Sequence, residues 1–256
     1  MEWLYKTDPN VTAQLFDLWH TAFGDDEAYI RLFFDLAYQG SRCFLKKKAG
    51  RVVSSLYLLD CAVTADGGSY AGYCLYAAAT LSGERRQGYM AALIKEAKAA
   101  LLQSGRAFIA LVPADDGLYD YYARFGFRTA MYVYEGLARV GSPTAPCSDA
   151  EYYEARSRLN NAFHWTKPNF DYAMACLRYD GAHPVRTDSG MLLRSEAAVE
   201  ELLTGGSAGD GDLLPVRSPF PLPGTKQKRF GMIYTENERL RSVLSERRLY
   251  MNLALD

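Results

Sequence analysis

Leu81-Ser82-Gly83-Glu84-Arg85-Arg86-Gln87-Gly88-Tyr89-Met90 joins a strand-like run to a helical one and sets two arginines at the junction. Upstream, residues 70–81 are rich in small and aromatic side chains, as a strand is. Downstream, residues 88–104 carry Met90, Leu93, Ile94, Ala97 and Leu101 at helical spacing, and Gly105 stops them. A helix start leaves its first N–H groups unpaired and bears partial positive charge, so it is a ready anion site. Gly88 lets the backbone approach a phosphate with no Cβ in the way. Arg85 and Arg86 add charge-assisted donors. Neither G-x-G-x-x-G nor G-x-x-x-x-G-K-[ST] occurs in the chain, so this is not one of the glycine-rich nucleotide loops. Taken alone, the stretch is as readily a solvated basic turn.

Before the loop, the pattern predicts a short strand at 3–6 and a helix capped by Asn10 or Thr12, with Leu15, Leu18, Trp19 and Ala22 on one face. Gly24-Asp25-Asp26 breaks that helix, and a second follows over 27–38. Residues 43–47 and 51–64 read as a hairpin around Ala49-Gly50. After the loop, 107–112 is a short strand buried on both faces, 118–125 a short helix and 127–139 extended. Residues 141–148, with two prolines, read as a linker. This sets the expected domains at 1–140 and 149–256. The second is a smaller α/β unit, with helices expected at 149–160, 169–179 and 197–203. Its strands are expected at 184–187, 191–193, 213–217, 231–234 and 250–254. The fold class is α/β (α+β).

The 256 residues include 29 basic and 30 acidic side chains, a net charge of −1. No overall field attracts nucleic acid or an anionic membrane, so neither is an expected partner. Five dispersed cysteines lack C-x-x-C spacing, and three dispersed histidines give neither a metal set nor a triad. Metal: none is expected. Reduced thiols, no spanning apolar run and no leader-like N-terminus make the cytoplasm the default expectation.

Tyr122-Ala123-Arg124-Phe125-Gly126-Phe127 follows the loop by one strand and one short helix. Together the two segments resemble the GNAT acyltransferase superfamily. Arg85 and Gly88 match its [R/Q]-x-x-G-x-[G/A] motif; Tyr122, Gly126 and Phe127 match its Y-x-x-x-G-F. Met90 stands where Gly or Ala is usual, with Ala91 the next small residue. The resemblance spans roughly residues 1–139 and implies a mixed sheet whose central strands splay. It implies that acetyl-CoA is the co-substrate. Ala78, Ala79 and Thr80 would pair with pantetheine. Leu81 and the loop Arg85, Arg86, Gln87, Gly88, Tyr89 and Met90 would hold the pyrophosphate.

The resemblance also implies that Tyr122 is the general acid on the departing sulfur, with a strand amide near Ala79 polarising the thioester carbonyl. Tyr119 and Tyr121 are expected to be structural or pocket-lining. Many relatives drain the amine proton through a strand glutamate, but residues 70–81 hold no carboxylate. Asp115, Asp116, Asp60 and Asp256 remain as bases, with bulk water as another route.

The helix connection Phe23-Gly24-Asp25-Asp26-Glu27 would wall the acceptor, a small-molecule or peptide amine. Phe23, Asp25 and Asp26 are the candidate substrate residues, though the carboxylates could equally cap a helix. A GNAT domain followed by a second α/β unit is also similar to the enhanced-intracellular-survival type of aminoglycoside acetyltransferase, without its third, carrier-protein-like domain. Phe163, His164 and Trp165 are expected to plug a domain interface, and 219–228 to form a long loop, a potential lid. Two other classes stay open. One is a non-catalytic acyl-CoA-binding regulatory module; the other is an aminoacyl or peptidoglycan-type transferase with tandem GNAT folds. An oligomer is compatible with the sequence.

Overall fold

The computed structural model describes residues 8–188, 190–203 and 211–253, so the expected strand at 3–6 and Asp256 lie outside the described residues. Asp8 accepts the N–H groups of Asn10 and Val11 and starts α1 (Pro9–Phe23), one cap earlier than expected. α1 buries Val11, Leu15, Leu18 and Trp19. Gly24, at φ +79°, turns the chain out of the helix, and Asp26 caps α2 (Glu27–Leu36) by accepting the Tyr29 N–H at 2.8 Å. The hairpin follows as β1 (Arg42–Lys48) and β2 (Arg51–Ala65), then β3 (Gly68–Thr80) antiparallel to β2.

α3 (Tyr89–Ser104) crosses over to β4 (Phe108–Leu111), parallel to β3 and buried at every position. α4 (Asp116–Ala123) and β5 (Arg128–Arg139) complete the first half. The second half runs β6 (Ala145–Pro146), α5 (Asp149–Ser157), β7 (Ala162–Trp165), α6 (Lys167–Tyr179), β8 (His183–Thr187), β9 (Gly190–Arg194) and β10 (Val199–Leu202). It continues with β11 (Leu213–Ser218), β12 (Thr225–Thr235), α7 (Glu238–Glu246) and β13 (Leu249–Tyr250).

The second half does not sit apart from the sheet of the first. β12 lies between β4 and β5, with Met232 opposite Leu111 on one side and Lys228 opposite Val133 on the other. β7 pairs with the end of β2, and β13 joins β7 to β5. Pairing therefore runs in a ring, β2–β3–β4–β12–β5–β13–β7 and back to β2. β11, β10, β9, β8 and β6 extend outward from β5. A buried ion pair locks the junction. Arg156 Nε reaches Glu201 Oε2 at 3.0 Å, while Tyr152 and Tyr250 donate to the same carboxylate at 2.8 and 2.7 Å. The remaining guanidinium donors go to the carbonyls of Phe163 and Asn252.

Three local expectations change. The segment 197–203 holds a strand, β10, not a helix. Its Ala, Glu and Leu favour helix, but pairing with β9 and β11 and the buried ion pair of Glu201 override propensity. The expected loop 219–228 is shorter, because Thr225–Lys228 already pair with β5. Residues 163–165, expected as an interface plug lying between two helices, instead form the strand β7, which pairs with the end of β2. The helix α7 has no counterpart in the sequence reading, although Asn237 caps it and Leu240 and Val243 are its buried face.

Candidate active site

Pairing between β3 and β4 stops at Cys74 opposite Ala110, while β3 runs on to Thr80. The two strands thus open into a wedge. Within it, Ala77 adopts φ +44°, and the register against β2 jumps there, with Tyr76 opposite Tyr57 and Ala79 opposite Ser55. This bulge gave no sign in the sequence: alanine carries no mark of a left-handed conformation. The Leu81 N–H donates to the Val53 carbonyl at 3.0 Å. By strand alternation Ala79 also faces β2, which leaves the polar backbone groups of Ala78 and Thr80 on the open edge. The Thr80 carbonyl there accepts Arg85 Nε at 3.3 Å.

Beyond β3 a single 3-10 turn, Ser82–Glu84, leads into the loop. Arg85, Arg86, Gln87 and Gly88 are exposed, and Tyr89 and Met90 half-buried. Gly88 is the N-cap of α3 at φ +82°, with no side chain capping the helix and no acidic residue in its first turn. The first N–H groups are thus free for an external acceptor. A Cβ on Gly88 would touch nothing within 4 Å, so glycine is required here by its backbone angle and not by close packing. Arg86, also left-handed at φ +63°, completes the turn.

A cavity of about 550 Å³ occupies the wedge. Its β3 wall is Cys74, Leu75, Tyr76, Ala77 and Ala78; its opposite wall is the segment from Leu111 to Asp116 after β4. Tyr122, on α4, lines it. Its ring packs edge-on to Tyr121 and Phe127, and its hydroxyl makes no hydrogen bond among the described residues. Burial, then the neighbouring Tyr121, pushes the phenol up to about 12, so it is a proton-bearing donor at neutral pH. Tyr119 also lines the cavity but donates to the Phe230 carbonyl at 3.1 Å; Tyr121 does not line it.

The α1–α2 turn closes the far side. Asp25 lines the cavity and accepts Trp19 Nε1–H at 2.7 Å, and Phe23 and Tyr29 stand beside it. Asp26 does not: one oxygen caps α2 and the other accepts the Tyr179 hydroxyl, which holds its carboxyl below the usual range. Of the other carboxylates, Asp115 caps α4 and Asp116 pairs with Arg229 at 2.7 Å, both on the cavity wall. Asp60 instead pairs with Arg106 at 2.8 Å, off the cavity. His164 is also off it. Burial and then Arg156 lower its pKa to about 4, and Thr64 and Leu159 hold its ring.

The second half contributes Trp165, Arg229, Phe230 and Met251 to the wall. Only Trp165 stood out in the sequence; Arg229 looks there like one more solvated charge on a strand. The five cysteines are buried, and none is in a disulfide. Among the described residues no His, Cys, Asp and Glu gather as metal ligands, and no helix is long and apolar enough to cross a membrane.

A family model described as an acetyltransferase (GNAT) domain matches residues 6–130, just under half of the chain. No curated protein matches. Among solved structures, a conserved protein of unknown function from Enterococcus faecalis V583 superposes with a TM-score of 0.67 at 14% identity, over 88% of this chain and 70% of that one. Eis1 from Mycobacterium abscessus gives 0.66 at 13%, over 90% and 71%. A GCN5-related N-acetyltransferase from Kribbella flavida gives 0.65 at 13%, over 89% and 70%. At such identities the likeness is one of fold, and it extends through both halves of the chain. Residues 6–130 thus match an acetyltransferase (GNAT) domain, and the fold of both halves is shared with the solved structures named above.

Proposed function

We propose that the protein transfers an acetyl group from acetyl-CoA to a primary amine of a small molecule or peptide, by direct attack in a ternary complex. The observation that carries this reading is the β3–β4 wedge, with the uncapped start of α3 beyond its β3 edge and the buried Tyr122 hydroxyl on its wall. In this reading the α3 amides with Arg85 and Arg86 hold the pyrophosphate, while the open-edge backbone groups of Ala78 and Thr80 pair with pantetheine. The co-substrate supplies the acetyl thioester. Tyr122 donates a hydrogen bond to the leaving sulfur. With its phenol near 12 and an ordinary thiol near 8.5, the proton itself is released late, and stabilisation of the thiolate by the hydrogen bond comes first.

On the acceptor side, Asp25 with Phe23 and Tyr29 suits an ammonium group on its way to the thioester. Asp115 and Asp116 are the carboxylates on the wall that could take the amine proton, and water is the other route. Residues 149–256 serve here as a second, degenerate GNAT-like unit whose strands complete the first sheet. The test is free-thiol release from acetyl-CoA with a panel of amines. Amine-dependent release is expected, together with a fall of about a hundredfold in kcat for Tyr122→Phe and an unchanged KM for acetyl-CoA. Release with no amine on the panel, alongside tight acetyl-CoA binding, would leave a binding module instead.

A further inference from the structure

The charged groups that line the cavity come from both halves of the chain: Asp25, Asp115 and Asp116 from the first, Arg229 from the second. The α1–α2 turn presents Asp25; one carboxylate oxygen is fixed by Trp19 Nε1–H at 2.7 Å, and the other bonds to no described residue. From the second half, β12 presents Arg229, with its guanidinium stacked on the Tyr119 ring at 4.0 Å from the centroid. Stacking on a ring holds the fork in one plane and leaves its edges to bind. Of its five N–H donors one, on Nη2, is engaged by Asp116 at 2.7 Å; Nε and Nη1 bond to no described residue. Asp116 is almost fully exposed, so water can take over its pairing when another anion arrives. Between the two charges the wall is apolar and aromatic: Trp19, Phe23, Trp165, Phe230 and Met251.

A polycationic acceptor has no use for Arg229. An amine that also carries a carboxylate matches both Asp25 and Arg229 at once, with its apolar body in the aromatic middle. Tyr119 and Tyr122 lie three residues apart on α4, on one face and about 4.5 Å along the axis. Arg229 thus shares one cavity with the hydroxyl proposed to face the sulfur, and a carboxylate held by it would leave the amine of the same molecule inside that cavity. We infer that the acceptor is an amino-acid-like zwitterion, with Arg229 as its carboxylate anchor. This rests on the acetyltransferase reading above and narrows its acceptor class.

The test uses matched acceptors that differ only at the carboxylate: an aromatic or aliphatic amino acid, its C-terminal amide and its decarboxylated amine. For the full chain, kcat/KM is expected to favour the free carboxylate over the amide by at least tenfold. Arg229→Gln should collapse that ratio toward one, and Arg229→Lys should restore part of it, since a point charge replaces the bidentate fork. Preference for the amide or for a polyamine, with turnover intact, overturns the zwitterion while leaving acetyl transfer standing. Calorimetry of the same pairs on the protein saturated with CoA reads the selectivity without turnover. Equal binding of acid and amide there overturns the inference even if no acceptor is acetylated; tenfold tighter acid binding, lost in Arg229→Gln, supports it.

Discussion

Tyr122 packs edge-on to the Tyr121 and Phe127 rings with its hydroxyl bonded to no described residue, and burial raises its phenol to about 12. Because the proton stays on through neutral and mildly alkaline pH, the acetyl-transfer rate should show no alkaline downturn from this group until well above pH 10. A kcat–pH profile measured with saturating amine checks this, and a basic limb near pH 8 would point to another acid. Gly88 makes a second prediction at this scale. Its φ of +82° puts a Cβ in the disfavoured left-handed region, so Gly88→Ala should cost about 1 kcal/mol of stability, read by urea denaturation. Both residues are legible in the sequence because their motifs are local: the arginines precede the glycine, and the tyrosine precedes Gly126-Phe127. Ala77 and Arg229 are not. One is marked only by a backbone angle, and the other comes to the cavity from more than a hundred residues beyond the loop.

Among the elements, β7 is held to β2 by backbone pairing and by His164, whose Nε2 lies 3.0 Å from Thr64 Oγ1 and 3.2 Å from the Leu159 carbonyl. Its folded pKa, about 4, lies below the unfolded value near 6.5. Between these values the unfolded chain binds more protons, so this histidine's contribution is present above about pH 6.5 and is lost as pH falls toward 4. The contribution is on the order of 3 kcal/mol. Urea midpoints at pH 7.5 and pH 4.5 should therefore fall further in wild type than in His164→Gln; equal falls would remove the assignment. Helices of the first half follow from their apolar spacing, as α1 and α3 do. β10 was hidden because Ala-Val-Glu-Glu-Leu-Leu reads as helix, and only its neighbours β9 and β11 make it a strand.

Across the whole molecule, the two halves are joined through the sheet. β12 occupies the edge of β4, and Arg156–Glu201 anchors α5 to β10 beside β13. Breaking that buried pair by Arg156→Met strands the Glu201 carboxylate and should cost about 3–5 kcal/mol. The double change Arg156→Met, Glu201→Leu should recover much of this, because no buried charge is left unpaired. Denaturation curves of wild type, single and double variants decide it, and a double variant as weak as the single would contradict the account. Such long-range pairings leave no periodic trace in the chain, which is why the ring of strands was not foreseen while the hairpin of β1 and β2 was.

The proposed acetyl transfer stands on binding of the acetyl-CoA pyrophosphate at the start of α3, by Arg85, Arg86 and Gly88. Isothermal titration of acetyl-CoA into wild type and into the Arg85→Ala, Gly88→Asp double variant tests it most directly, with circular dichroism verifying that the variant is folded. Measurable binding by wild type is expected, with at least a tenfold weaker affinity in the variant, whose new carboxylate sits at the helix start. Equal affinity in the two proteins would contradict it.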